Sequence, residues 1–250
     1  MEDLLIFFII GFIAQLIDGA LGMAYGLTTT TFLLNFGVPP ITASAITHAA
    51  ECITTGFSAI SHHWLGNVNR TLFFRLLVPG MIGAVVGVLM ITHIKAEIIK
   101  PFIGIYLLIM GIIVLSKAFT VFPPVIVRHH LIPLGFMGAF MDAVGGGGWG
   151  AIITSTLLVR GNDVRMTIGS VNACEFFITV TVSVTFFLSN VFISWQTVAA
   201  LAAGGTVAAP LGAWLCRHVP VKVMLFIVGL LIIGLSSRTI WLSLTQNFPS

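Results

Sequence analysis

The chain has 250 residues, 58% of them hydrophobic and 8% charged, with a formal net charge of +3. Soluble domains carry about a quarter charged residues, so this composition excludes a water-soluble globule and points to a protein embedded in a bilayer. The small positive balance fits Lys and Arg gathered at one membrane face rather than a nucleic-acid surface.

The N-terminus opens Met1-Glu2-Asp3, without a basic region or a small-residue cleavage site, so the first apolar stretch is expected to be retained. Residues 4–36 form one unit. An apolar run, Leu4 to Ile17, meets a break at Asp18-Gly19-Ala20-Leu21-Gly22-Met23-Ala24-Tyr25-Gly26 and resumes as Leu27 to Phe36, with threonines at 28 to 31. Arms of about 14 and 10 residues span roughly 21 and 15 Å, less than the ~30 Å hydrocarbon core. A long helix is predicted over 41–61, carrying His48 and Glu51 near its middle. A polar loop from His62 to Arg70 follows, then helices over about 72–93 and 98–118. Pro123-Pro124 cannot continue a helix. It marks a linker, 122–128, between a first repeat, 1–121, and a second, 129–250.

The second half repeats this plan at an offset of 124 residues. Gly11, Asp18, Gly22, Gly26, Glu51 and Thr55 match Gly135, Asp142, Gly146, Gly150, Glu175 and Thr179. Apolar matches mean little in such a sequence, but the chain has only eight acidic residues, and two of them recur in register. Four consecutive glycines, Gly145 to Gly148, follow Asp142, and each Gly costs roughly 1 kcal/mol relative to Ala inside a helix. Two readings of the break stand: a close-packing loop, or opened backbone whose amides hold a ligand. Its presence in both halves favours the second.

If each broken unit crosses the membrane once, Lys and Arg divide evenly between the two sides. If each is a hairpin, the halves are inverted, and Arg70, Arg75, Lys117, Arg128, Arg160, Arg165, Arg217 and Lys222 share one side against Lys95, Lys100 and Arg238. The second arrangement fits the positive-inside rule. The expected fold is therefore an all-α polytopic membrane protein of two homologous inverted repeats, each a Gly-broken helical hairpin plus three long transmembrane helices. It sits in the cell inner membrane with its N-terminus outside.

Inverted duplication with broken helices is the architecture of secondary transporters, which bind substrate near the midplane between the repeats. Helix N-termini at about Gly26 and Gly150 would present amides and a positive dipole end to an anion. The candidate binding residues are Tyr25, Gly26, Thr28, Thr29, Gly146, Gly147, Gly148, Trp149, Thr154 and Asn172. Tyr25 and Trp149 occupy neighbouring positions in the two motifs and are candidate walls of the site. Glu51 and Glu175 lie in otherwise uncharged helices, where an ionisable group is functional by default. His48 and Asn172 precede them by three residues and share their helix faces. Each glutamate either carries a coupled proton, with His48 placing any coupling on the Glu51 side, or braces the glycine loop of the opposite unit. Asp18 and Asp142 are expected to cap the amides exposed at the breaks. Cys52, Cys174 and Cys216 lack paired spacing, and His62, His63, His129 and His130 do not form a metal-ligand pattern, so neither metal nor disulfide is expected.

Gly-Ala-Leu-Gly-Met-Ala-Tyr-Gly at 19–26, Ala-Ser-Ala-Ile-Thr-His-Ala-Ala-Glu at 43–51, Leu-Gly-Asn-Val-Asn at 65–69, Gly-Gly-Gly-Gly-Trp-Gly at 145–150 and Gly-Ser-Val-Asn-Ala-Cys-Glu-Phe-Phe at 169–177 resemble the TauE/SafE family of sulfite exporters. This family is also called the toluene sulfonate uptake permease family. The resemblance spans both halves and implies transport of a small sulfur-containing anion, such as sulfite or an organosulfonate, in a direction it leaves open. An anion channel is the alternative. No nucleophile–base pair supports an enzyme and no Gly-Lys-Ser/Thr loop supports an ATP-driven pump. The expected partners are the anion, the lipid bilayer and, in a homodimer, a second copy. No cofactor, metal or nucleic acid is expected.

Overall fold

The computed structural model describes residues 2–21, 23–64, 66–119, 130–159, 164–218 and 221–247. Gly22, the Pro123-Pro124 linker with Arg128 and His129, Arg160 and Gly161 lie outside the described residues, as do the side chains of Ser155, Arg165, Cys216 and Arg217. Every regular element among the described residues is a helix. The first half holds α1 (Glu2–Leu21), α2 (Tyr25–Asn35), α3 (Pro40–Trp64), α4 (Arg70–Thr92) and α5 (Ala96–Lys117). The second holds α6 (Leu131–Gly145), α7 (Trp149–Val159), α8 (Val164–Leu188), α9 (Trp195–His218) and α10 (Val221–Asn247).

Both breaks fall where the glycines and carboxylates place them. The α1 helix nevertheless continues to Leu21, past the expected end at Ile17, because Asp18-Gly19-Ala20-Leu21 contains a single strong helix breaker, whose ~1 kcal/mol cost a packed helix absorbs. The α2 and α7 helices have 11 residues each, about 16 Å of helix, half a bilayer core. In the second unit Gly138 lies against Ile153, and the Asp142 side chain accepts from the Trp149 amide at 2.8 Å, so α7 doubles back along α6. In the first, Gly26 lies beside Glu51 and Thr30 bonds Thr47, so α2 runs antiparallel to α3.

Helices from different halves pair. The α1 helix lies along α9 in the same direction, with Gly11 at Leu201 and Gln15 at Gly205, and α6 lies along α4 in the same direction, with Gly135 at Leu76 and Phe140 at Gly87. Glycine at these contacts lets one backbone rest on the other, the form of packing that replaces the hydrophobic effect in lipid. Central helices α3 and α8 are antiparallel: Ser58 meets Asn172, Gly56 meets Phe176 and Cys52 meets Ser183. So are α5 and α10, through Gly104 with Ile240 and Leu115 with Gly229.

Among the described residues four helices, α4, α5 and the stretches Met166–Leu188 and Leu225–Thr245, are long and apolar enough to cross a membrane. Phe74, Phe102, Ile112, Phe187 and Ile227 are exposed on the outside, whereas Thr30, Ser44, His48, Glu51, Asp142 and Glu175 are buried. Apolar side chains outside and ionisable ones inside suit a bundle whose solvent is lipid.

Candidate functional site

Many of the buried polar groups, Thr30, Ser44, His48, Glu51 and Asp142 among them, gather where the two hairpin tips meet. Gly146, in the left-handed conformation at φ 74°, ends α6, and its amide and that of Gly147 both fall on the Asp142 carbonyl, at 2.8 and 3.0 Å. Such a cap closes a helix by bonding the last free carbonyls. The chain then passes Gly147 directly over the Gly26 to Leu27 backbone of the first hairpin. The Thr30 hydroxyl donates to the Gly146 carbonyl, and the Ser44 hydroxyl donates to the Ala143 carbonyl at 2.7 Å. Tip therefore rests on tip, with Gly147 packed against the Gly26–Leu27 backbone.

Asp142 links the halves. One carboxylate oxygen accepts from the Trp149 amide at 2.8 Å, as an N-cap does for α7, and the other lies 3.0 Å from His48 Nε2. Both side chains are buried. His48 Nδ1 is 2.8 Å from the Ser44 carbonyl, an oxygen that can only accept, so this contact assigns a proton to Nδ1. The bond between Nε2 and Asp142 then needs a second proton, whether it sits on the imidazole or on the carboxyl. The pair thus shares one proton at the seam between hairpin and α3.

The other half is built differently. Asp18 accepts from the Tyr25 amide at 3.3 Å, matching the Asp142 to Trp149 bond. Its would-be histidine, however, is Asn172, whose amide donates to Ser58 at 3.2 Å across the α3–α8 contact. Glu51 meets the Gly26 amide, in the hairpin of its own half and not the opposite one, because the α2–α3 hairpin brings that amide past it. Glu175 is buried and feels Glu51, Asp18 and Asp142 electrostatically, so all four carboxylates share one neighbourhood.

The remaining sequence candidates also lie at the tips. Tyr25 and Trp149 are among the most buried large side chains, and Trp149 spends its indole N–H on the Val171 carbonyl at 3.2 Å. Thr28, Thr29 and Thr154 are buried, and the hydroxyls of Thr28 and Thr154 lack hydrogen-bond partners among the described residues. Three further groups escaped the sequence reading. Tyr106 donates its hydroxyl to the Gly147 carbonyl at 2.9 Å. The Lys117 ammonium donates to the Ala151 carbonyl at 3.1 Å, bringing a cation to the first turn of α7. Gln15 is buried beside Gly205 with its carbonyl unpaired among the described residues. Tyr106 and Gln15 were detectable as polar residues inside apolar runs. Lys117 was visible only as a charge at a helix end.

The sequence matches the family described as Sulfite exporter TauE/SafE over residues 7–239. It is 39% identical over 262 residues to the probable membrane transporter protein YtnM of Bacillus subtilis (strain 168), a match covering all of this chain and 87% of that protein. No solved structure matches it.

Proposed function

The chain belongs to the sulfite exporter TauE/SafE family of multi-pass membrane transporters, and on that premise we propose that it is a proton-coupled secondary transporter, not an enzyme, for small sulfur-containing anions such as sulfite or organosulfonates. The observation that carries the coupling is the buried Asp142–His48 pair at the tips, with Asp18, Glu51 and Glu175 close enough to interact electrostatically with one another. Like charges in a low-dielectric interior repel more strongly than in water. An anion therefore enters this neighbourhood only together with protons. The tips part to admit it beside the N-terminus of α7, among Gly146, Gly147, Gly148, Trp149 and Thr154, facing Tyr25, Gly26, Thr28 and Thr29, with Lys117 supplying positive charge nearby. Asn172 borders the site from α8.

Purified protein in liposomes tests this. Sulfite or a C2 sulfonate is expected to enter saturably and to be driven uphill by an imposed pH gradient. Glu51→Gln, which mimics the protonated acid, keeps anion binding and loses the pH drive. Glu175→Gln, lacking a histidine on its helix face, keeps more of it. Flux that never saturates and ignores the gradient replaces the transporter with a channel, and equal loss of binding in both variants leaves the glutamates as braces.

The two halves, on this reading, are inverted repeats, one on either side of the 122–128 linker. Support comes from contact directions: α1 parallel to α9, α4 to α6, and α3 and α5 antiparallel to α8 and α10. Arg70, Arg75, Lys117, Arg165, Arg217 and Lys222 then face the cytoplasm, with Lys95, Lys100, Arg238 and the N-terminus outside the cell membrane. Trp64→Cys and Lys95→Cys, each in a background with its own cysteines replaced by Ala, are expected to label from opposite sides with a membrane-impermeant maleimide. Labelling of both from one side restores a parallel arrangement.

A further inference from the structure

Away from the hairpin tips, α3 and α4 diverge from the loop that joins them, and α8 floors the space between. The result is a cavity of about 930 Å³ lined by Ile53, Phe57, Ile60, Phe74, Phe176 and Phe177, with Arg70 and His63 on its loop side, both exposed. The loop fixes the shape. Asn67 and Gly66 bond back to the carbonyls of His62 and His63, the Asn69 amide donates to Ser170 on α8 at 2.8 Å, and the Asn69 side chain caps Leu72 at 3.1 Å. Gly169 lets the Asn67 carbonyl rest directly on α8. The groove is thus preformed.

Its chemistry is that of an amphiphile. The walls are aromatic and aliphatic, whereas the loop side is cationic: Arg70 is exposed and makes no ion pair among the described residues. Trp64, 83% exposed beside them, has the mixed character that seats side chains at the headgroup level. We infer that this groove binds an anionic phospholipid, with acyl chains along Phe57, Phe74 and Phe177 and the phosphate against Arg70 and His63. Basic pockets between transmembrane helices recognise anionic headgroups in this way. A second copy fits poorly, because a two-fold contact would set one concave face against another and bring Arg70 towards Arg70. A small polar anion fits the mouth but leaves the apolar walls unfilled. The inference does not depend on the transport reading.

The test is competitive lipid retention by the full-length protein. Delipidated protein is incubated with equal amounts of phosphatidylglycerol and phosphatidylcholine, and bound lipid is counted by native mass spectrometry. Phosphatidylglycerol is expected to be retained about tenfold over phosphatidylcholine. Arg70→Gln brings the ratio near one at unchanged helicity, Arg70→Lys restores most of it, and Ala59→Trp, which fills the groove, removes both lipids. Equal retention of the two lipids by the unmodified protein overturns the inference, as does a ratio unchanged in Arg70→Gln. Disulfide cross-linking between copies through Ala59→Cys, unaffected by added phosphatidylglycerol, assigns the groove to a dimer instead.

Discussion

Asp142→Ala is expected to lower the midpoint of thermal unfolding by roughly 6–20 °C. The change strips the buried His48 Nε2 and the Trp149 amide of their shared partner, and removing one member of a buried pair costs about 3–5 kcal/mol. For a chain of this size each kcal/mol moves the midpoint by about 2–4 °C. Asp142→Asn separates bracing from proton handling. Its amide N–H can donate to His48 Nε2 while its carbonyl accepts from Trp149, so both bonds survive and only the shared proton is lost. The Asn variant is expected to melt within a few degrees of the unmodified protein, to bind anion, and to lose pH-gradient-driven flux. A midpoint as low as that of Asp142→Ala would show the charge itself to be the brace. Intact pH-driven flux would remove the proton from this pair.

Gly147→Ala is expected to abolish substrate-dependent stabilisation and transport. A methyl at this position overlaps the Gly26 carbonyl carbon and the Leu27 nitrogen, and the φ of 152° is one that L side chains rarely adopt. Backbone strain of about 1–3 kcal/mol adds to overpacking of about 1–3 kcal/mol, and the opposing atoms are main chain in another hairpin, so they cannot rotate aside. Gly37→Ala supplies the comparison. Its φ is +82° with nothing within 4 Å, so it carries the strain without the collision. Flux and thermal stabilisation by sulfite, read in both variants, isolate the tip contact: equal losses would reduce the Gly147 effect to backbone strain.

How much of this was legible depends on how rare each residue type is. Carboxylates are scarce in the chain, so Asp18, Asp142, Glu51 and Glu175 stood out, and glycines beside the first two marked the breaks that separate α1 from α2 and α6 from α7. The cap on the Trp149 amide follows from local spacing and was anticipated. The bond from Asp142 to His48 was not, because it closes across 94 residues and no periodicity reports on a partner so distant. Of the two readings open for Glu51, a brace on the opposite hairpin gives way to a bond with Gly26 of its own half, which the α2–α3 turn brings alongside it. Tyr106 has no counterpart in the second half, so the repeat does not mark it. The tip contact was out of reach as well: glycine permits close approach, but only the packing of α1 on α9 and α6 on α4 decides what approaches.

That packing also sets a schedule. Gly11 rests on Leu201, which is made 190 residues later. At about 5–20 residues per second, synthesis takes roughly ten to forty seconds to cover that distance. During this interval the first hairpin sits in the membrane without the helix that grips it, its glycine face bare and Asp18 lacking the neighbours of the second half, while α4 waits a shorter time for α6. The last-made helices therefore complete the first-made one. A ribosome that stops after the first repeat leaves behind not half a transporter but a hairpin with nothing to hold.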